Sequence, residues 1–235
     1  MQKMFIVLFL FGVVSGFAAQ HGNVSGLNSR EFDEYWLVES ESPDFTVSFY
    51  GDTAEIVSPM GLTLWRKDKM RGDVTIEYDA CVVMEDDDDR LSDLNCFWMA
   101  SDPKFPDDIM ARADWRNGVF LRCYTLQLYY LGYGGNYNTT TRFRRYNGNE
   151  AAVTNATVRP PVLVEYTDSA HLLQPSHWYH VKIVGRGNRV QYYVDGECIV
   201  DYVDKNPLKE GWFGFRTTLS RTRLTNFRYK CDPIK

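Results

Sequence analysis

Basic excess is absent from this chain: 26 Lys and Arg stand against 31 Asp and Glu, a formal net charge of −5 over 235 residues. Phosphate recognition rests on a basic surface, so a nucleic-acid partner is not expected. Cysteine is scarce and poorly spaced for metal chemistry. The five, at positions 81, 96, 123, 198 and 231, are an odd number, which leaves at least one unpaired, and they lack the close Cys or His spacings of a zinc site. A chain this long can bury a core without staples, so most of the five read as small buried hydrophobes. An oxidising compartment would still permit a bridge or two, with Cys81 and Cys96 as candidates. Apolar runs are missing beyond the first. Lys3, the run Met4 to Val14 and the small residues around Gly16-Phe17-Ala18 have the three-part form of a signal peptide. That run is shorter than the ~20 residues a membrane span needs, so cleavage after residue 18 or 19 and export, with no membrane insertion, are expected. No Cys lies near the cleavage site, which argues against a lipid anchor. Residues 19–235 carry no linker and read as a single domain.

Helical periodicity is also lacking. The chain is rich in Tyr, Phe, Trp, Val and Thr, and its apolar residues recur at every second position between glycine-bearing turns, the pattern of strands with one buried face. In Val74-Thr75-Ile76-Glu77-Tyr78-Asp79-Ala80-Cys81-Val82 the set Val74, Ile76, Tyr78, Ala80 and Val82 should face a core, with Thr75, Glu77, Asp79 and Cys81 opposite. Segments starting at Phe32, Phe45, Gly61, Leu94, Gly118, Leu126 and Thr139 read as further strands. Residues 147–176, with Pro160-Pro161, are the least regular and read as a long loop containing a strand at 162–166. Near the C-terminus, Trp178-Tyr179-His180-Val181-Lys182-Ile183-Val184, a turn at Gly185 to Asn188, Val190 to Val194, Asp195-Gly196 and Glu197 to Val200 form a three-stranded meander, because these turn residues tolerate positive φ.

That aromatic-His-Val strand, followed by one ending Tyr-Val-Asp-Gly, resembles the C-terminal half of concanavalin A-like lectin/glucanase domains. The phrases Tyr133-Gly134-Gly135-Asn136, Thr140-Thr141-Arg142-Phe143-Arg144-Arg145-Tyr146 and Gly211-Trp212-Phe213-Gly214-Phe215-Arg216 are similar to secreted bacterial sandwich domains of unassigned activity from polysaccharide-degradation loci. The resemblance implies an all-β fold, a concanavalin A-like jelly-roll sandwich of two antiparallel sheets with one curved around a cleft, and carbohydrate as the ligand class. Glucanases of this superfamily carry Glu-x-Asp-x-x-Glu on one strand. Here Glu77 and Asp79 begin such a motif, but Val82 stands where the second Glu belongs, so the paired carboxylates of a retaining hydrolase are not supplied locally.

The hairpin from Tyr129 to Tyr146 concentrates tyrosines, amides, hydroxyls and guanidinium groups, which together can cover the apolar face of a sugar ring and bond its hydroxyls or a uronate carboxylate. Tyr130, Asn136, Arg142 and Arg144 are the substrate-binding candidates, with Arg142 and Arg144 on one strand face. Tyr133 and His180 are the candidates for proton transfer. Alginate lyases of the jelly-roll type are echoed at Gln127-Leu128-Tyr129, but without their His and Lys. The run Glu85-Asp86-Asp87-Asp88-Asp89 reads as a solvated loop. A structural calcium ion stays open, and no metal ligands are assigned. Two functions are therefore carried forward. One is a secreted or periplasmic lyase or glycoside hydrolase acting on an acidic plant or algal polysaccharide of pectin or rhamnogalacturonan type. The other is a noncatalytic, lectin-like glycan-binding protein. Either is expected to act as a monomer on a polysaccharide or oligosaccharide, without a cofactor.

Overall fold

The computed structural model describes residues 25–232, so the signal peptide expected at residues 1–18 lies outside the described residues. Alternation in the sequence becomes thirteen antiparallel strands. They are β1 (Trp36–Ser40), β2 (Thr46–Tyr50), β3 (Thr53–Arg66), β4 (Met70–Arg71), β5 (Asp73–Val82), β6 (Leu94–Ser101), β7 (Gln127–Gly134), β8 (Thr140–Asn147), β9 (Val164–Tyr166), β10 (Trp178–Arg186), β11 (Arg189–Val194), β12 (Glu197–Val203) and β13 (Glu210–Asp232). Two of them are long enough to serve two layers. The first half of β13 lies between β6 and the end of β3, and its second half lies between β5 and the start of β3. A front sheet thus runs β1-β3-β13-β6-β7-β8-β9 and a back sheet runs β2-β3-β13-β5-β10-β11-β12. The bend falls where the β13–β3 register shifts between Thr218 and Ser220, at Leu219, whose φ is 49°. A bulge of this kind turns a strand from one layer to the other.

The sandwich core is what the alternation in β5 predicts: Val74, Ile76, Tyr78, Ala80 and Val82 all face it. Aromatic contacts cross the gap between the layers, Trp98 to Tyr192 with ring centroids 5.9 Å apart and Tyr133 to Tyr179 at 5.3 Å. The meander forms with its turns as read, with positive φ at Gly187, Asp195 and Gly196. Cys81 and Cys96 form no bridge. Cys81 lies on the outer face of β5 and Cys96 points into the core, so the sheet separates them, and all five thiols are free.

Two segments read as strands are not. Phe32–Tyr35 is a single helical turn ahead of β1, and Phe120–Thr125 is a 3-10 helix. The second difference shapes the site. Residues 102–126 leave β6 as an excursion of short helical turns that crosses the outer face of the front sheet. There Ile109, Cys123, Tyr124 and Leu126 pack with Trp65, Phe97, Leu128, Tyr130, Tyr146 and Trp212 as a second hydrophobic cluster. The front sheet is therefore buried on both faces over part of its width.

Candidate functional site

Register across the front sheet assembles a row of side chains that no stretch of sequence contains. Glu39 of β1 pairs with Thr63 of β3, Thr63 with Arg216 of β13, Arg216 with Asn95 of β6, Asn95 with Gly132 of β7, Gly132 with Arg142 of β8, and Arg142 with Glu165 of β9. All share the outer face. The next row is Leu37, Trp65, Gly214, Phe97, Tyr130 and Arg144, apolar until its last member. Buried polar side chains are the informative ones, because their desolvation must be compensated.

The excursion closes one end of the polar row. Arg116, fully buried, bonds Glu39 through Nε and Nη2, the latter at 2.5 Å from Oε1, and also donates to the Ile109 carbonyl. Arg216, 3% exposed, donates to Thr63 Oγ1 at 3.2 Å and to the Gly118 carbonyl, while Phe120 lies under its guanidinium. At the other end Arg142 and Glu165 form an ion pair whose side chains are 35% and 40% exposed. Arg144 donates to the Pro160 carbonyl of the irregular segment. The part-exposed end of the row is therefore the β8–β9 edge.

Between these ends sit Asn95, Tyr130 and Asp93. Gly132 is required beneath Tyr130, since a Cβ there would overlap the phenol hydroxyl, and it would lie 3.2 Å from Asn95 Oδ1. Asn95 Oδ1 is buried, and among the described residues no donor reaches it. A buried acceptor without a donor is costly, so a water or a ligand hydroxyl beside Tyr130 would satisfy it. Asp93, 6% exposed, accepts from Ser92 Oγ at 2.7 Å. Burial holds its carboxyl above the usual range, against the nearby charges of Arg90 and Arg216. Burial likewise pushes the Tyr130 phenol up, with Asp93 adding to the effect.

The six residues singled out in the sequence do not converge. Tyr130, Arg142 and Arg144 share the outer face of the front sheet, as the two-residue spacing of the arginines required. Tyr133 points the other way, into the sandwich core against Tyr179, where burial raises its phenol pKa and opposes service as a base at neutral pH. Asn136 sits in the β7–β8 turn and spends its amide on Thr139 Oγ1. His180 lies on the outside of the back sheet, its Nδ1 2.6 Å from Asp79 Oδ1 and its Nε2 3.9 Å from Glu77 Oε1. Glu77 itself pairs with Arg228, so the partial carboxylate motif belongs to a charge ladder on that far surface. Asp93, Asn95 and Arg216 were missed, and only their alternation with the core residues Leu94, Cys96 and Phe215 marks their common face.

The acidic run is exposed from Glu85 to Asp88, as a solvated loop would be, but part of it is held by arginines. Arg221 contacts Asp86 and Asp89, and Arg223 reaches Glu85 at 3.0 Å. Among the described residues no three His, Cys, Asp or Glu side chains are placed to hold an ion.

A family model described as "Domain of unknown function (DUF6250)" matches residues 56–227, which include all or most of every strand of the row except β1. The chain belongs to this family. No curated protein matches the DUF6250 chain in sequence. Its fold is similar to a protein of unknown function with a galectin-like fold from Bacillus subtilis (TM-score 0.67, 15% identity, covering 90% of this chain and 96% of that one). It is also similar to the carbohydrate-binding module CBM66 from Bacillus subtilis (TM-score 0.53, 15% identity, 83% and 94% covered). A third similar structure is the exoplasmic/lumenal domain of VIP36 in its Ca2+/Man3GlcNAc-bound form (TM-score 0.58, 10% identity, 92% of both chains). A native glycosidic hydrolase is similar at a TM-score of 0.52 and 9% identity. The DUF6250 chain is thus an all-β, concanavalin A-like jelly roll.

Proposed function

We propose that the protein is a secreted glycan-binding protein that receives its ligand on the outer face of the front sheet, over Asn95, Tyr130 and Arg142. The observation that carries this reading is the seven-strand polar row, with its part-exposed end at Arg142 and Glu165 and an unsatisfied acceptor at Asn95. Sugars present the hydroxyls that such a row of polar side chains can bond. Carbohydrate is what CBM66 binds by its name, and Man3GlcNAc is bound by VIP36 on the same fold. Export agrees with the exoplasmic/lumenal position of the VIP36 domain, and no helix among the described residues is long and apolar enough to cross a membrane.

Titration calorimetry with neutral and uronic-acid oligosaccharides tests this. Binding that Asn95→Leu and Arg142→Ala both weaken is the expected result, and silence across the whole panel ends the reading. Cleavage of an acidic glycan is a second reading, favoured by one observation: a buried carboxyl held above its usual range, as at Asp93, is in the condition a general acid needs. New reducing ends or unsaturated products, formed by the native chain and lost in Asp93→Asn, would establish it.

A further inference from the structure

The turn that joins β7 to β8 has backbone strain that packing does not explain. Asn136, Tyr137 and Asn138 lie consecutively in the left-handed region at φ of 53°, 60° and 54°, a conformation side chains other than glycine adopt singly and at a cost. The surrounding structure holds them there. Asn138 exchanges hydrogen bonds with Leu173 in both directions, Nδ2 donating to its carbonyl and Oδ1 accepting from its amide, while Thr139 Oγ1 donates to the Asn136 carbonyl at 2.6 Å. What the strained turn displays is one aromatic ring. Tyr137 is 71% exposed, so no buried contact accounts for its position. Strain at such a place, over-determined by its neighbours, points to a displayed group that is used.

The ring is also backed. The Arg90 guanidinium sits 4.1 Å from its centroid and donates to the Thr218 carbonyl at 3.4 Å, so a cation covers one face and fixes the ring. This stack stands between the polar row and a cleft that Arg90 itself lines. On one side Asp93 lies beneath the same turn, its Oδ1 3.7 Å from where a Cβ on Gly135 would stand, and beyond it are Asn95 and Tyr130. On the other side a cleft of about 780 Å³ at the corner of the sandwich is lined by Ser58, Pro59, Asp88, Arg90, Leu219 and Arg221. Ligand clefts generally hold roughly 300–1,000 Å³.

We infer that Tyr137, backed by Arg90, is a stacking platform for a second sugar, and that the ligand is an oligosaccharide crossing from the Asn95 floor over Tyr137 toward the corner cleft. The inference rests on the glycan reading of that floor. Stacking on a ring already immobilised adds affinity at little cost in side-chain freedom, which is what the strained turn secures.

Calorimetry on the full chain with methyl glycosides and matched di- and trisaccharides of mannose, galactose and galacturonic acid decides it. A trisaccharide should bind the native protein about tenfold more tightly than its methyl glycoside. Tyr137→Ala should lower trisaccharide affinity about three- to tenfold and leave methyl glycoside affinity unchanged, whereas Tyr137→Phe keeps the gain. Binding with no gain from chain length, a gain that survives Tyr137→Ala, or an equal loss for mono- and trisaccharide overturns the platform and leaves the floor standing. If none of the probes binds, the glycan reading and the platform fall together.

Discussion

At Gly214 a single hydrogen atom keeps two aromatic side chains together. Trp65 and Phe97 stack with centroids 5.7 Å apart from the strands on either side of it, and a Cβ on Gly214 would come within 2.7 Å of the Trp65 ring. Replacing Gly214 with Ala should cost about 1–3 kcal/mol, the range for overpacking a filled core, and a denaturant titration reads it directly. Asp93 makes a prediction in pH. Its carboxyl is held above the ordinary 3.8 by burial, so the folded state binds that proton more tightly than the unfolded one. The contribution to stability is complete below about pH 3.8 and is lost as pH rises through the raised value. Asp93→Asn should therefore melt higher than the native chain at pH 7, with the difference shrinking toward pH 3. A difference that grew on acidification would show the sign to be wrong. Residue types at this scale were readable, since the alternation correctly set Arg142 and Arg144 on one face and Phe143 and Arg145 on the other. It could not say which face is open, so Tyr133, one step out of phase, was chosen although it points into the core.

Among the elements, the excursion over residues 102–126 has most influence on the site. It was legible only as a mixture of loop and strand, because short apolar stretches such as Gly118 to Arg122 carry no period that separates a strand from a turn of 3-10 helix. Its anchor is electrostatic. Arg116 and Glu39 are 0% and 1% exposed at their side chains, and Arg112 links Asp102 to Glu150 beside them. Burying such a pair is expensive, but removing one partner is worse, because the other charge is left without compensation. Arg116→Met alone should destabilise by about 3–5 kcal/mol and open the excursion to limited proteolysis within residues 103–125, while Glu39→Met with Arg116→Met should recover most of the loss. Equal effects of the single and double variants would mean the ion pair does not anchor the excursion.

At the scale of the whole molecule, stability comes from the two hydrophobic clusters and not from cross-links. Burial pushes the thiol of Cys96 up to about 12 and those of Cys81 and Cys123 up to about 11, so these three should resist labelling in the native state. Cys198, exposed, should label quickly and Cys231 more slowly, with all five reacting after unfolding, and reductant should leave the melting temperature unchanged. Any clear fall in melting temperature on reduction would reveal a bridge. The sequence by itself determined the all-β class, the strands of the meander with their turns, and the inward set of β5, because period-two alternation and positive-φ turn residues are local properties. The order of strands and the site were decided by tertiary structure alone. Glu39, Thr63, Asn95, Gly132, Arg142, Glu165 and Arg216 become neighbours only through hydrogen-bond register across seven strands and through the bend that carries β3 and β13 into both sheets. Such non-local pairing is set by how the layers bury their faces against each other, and no window of the chain contains that information.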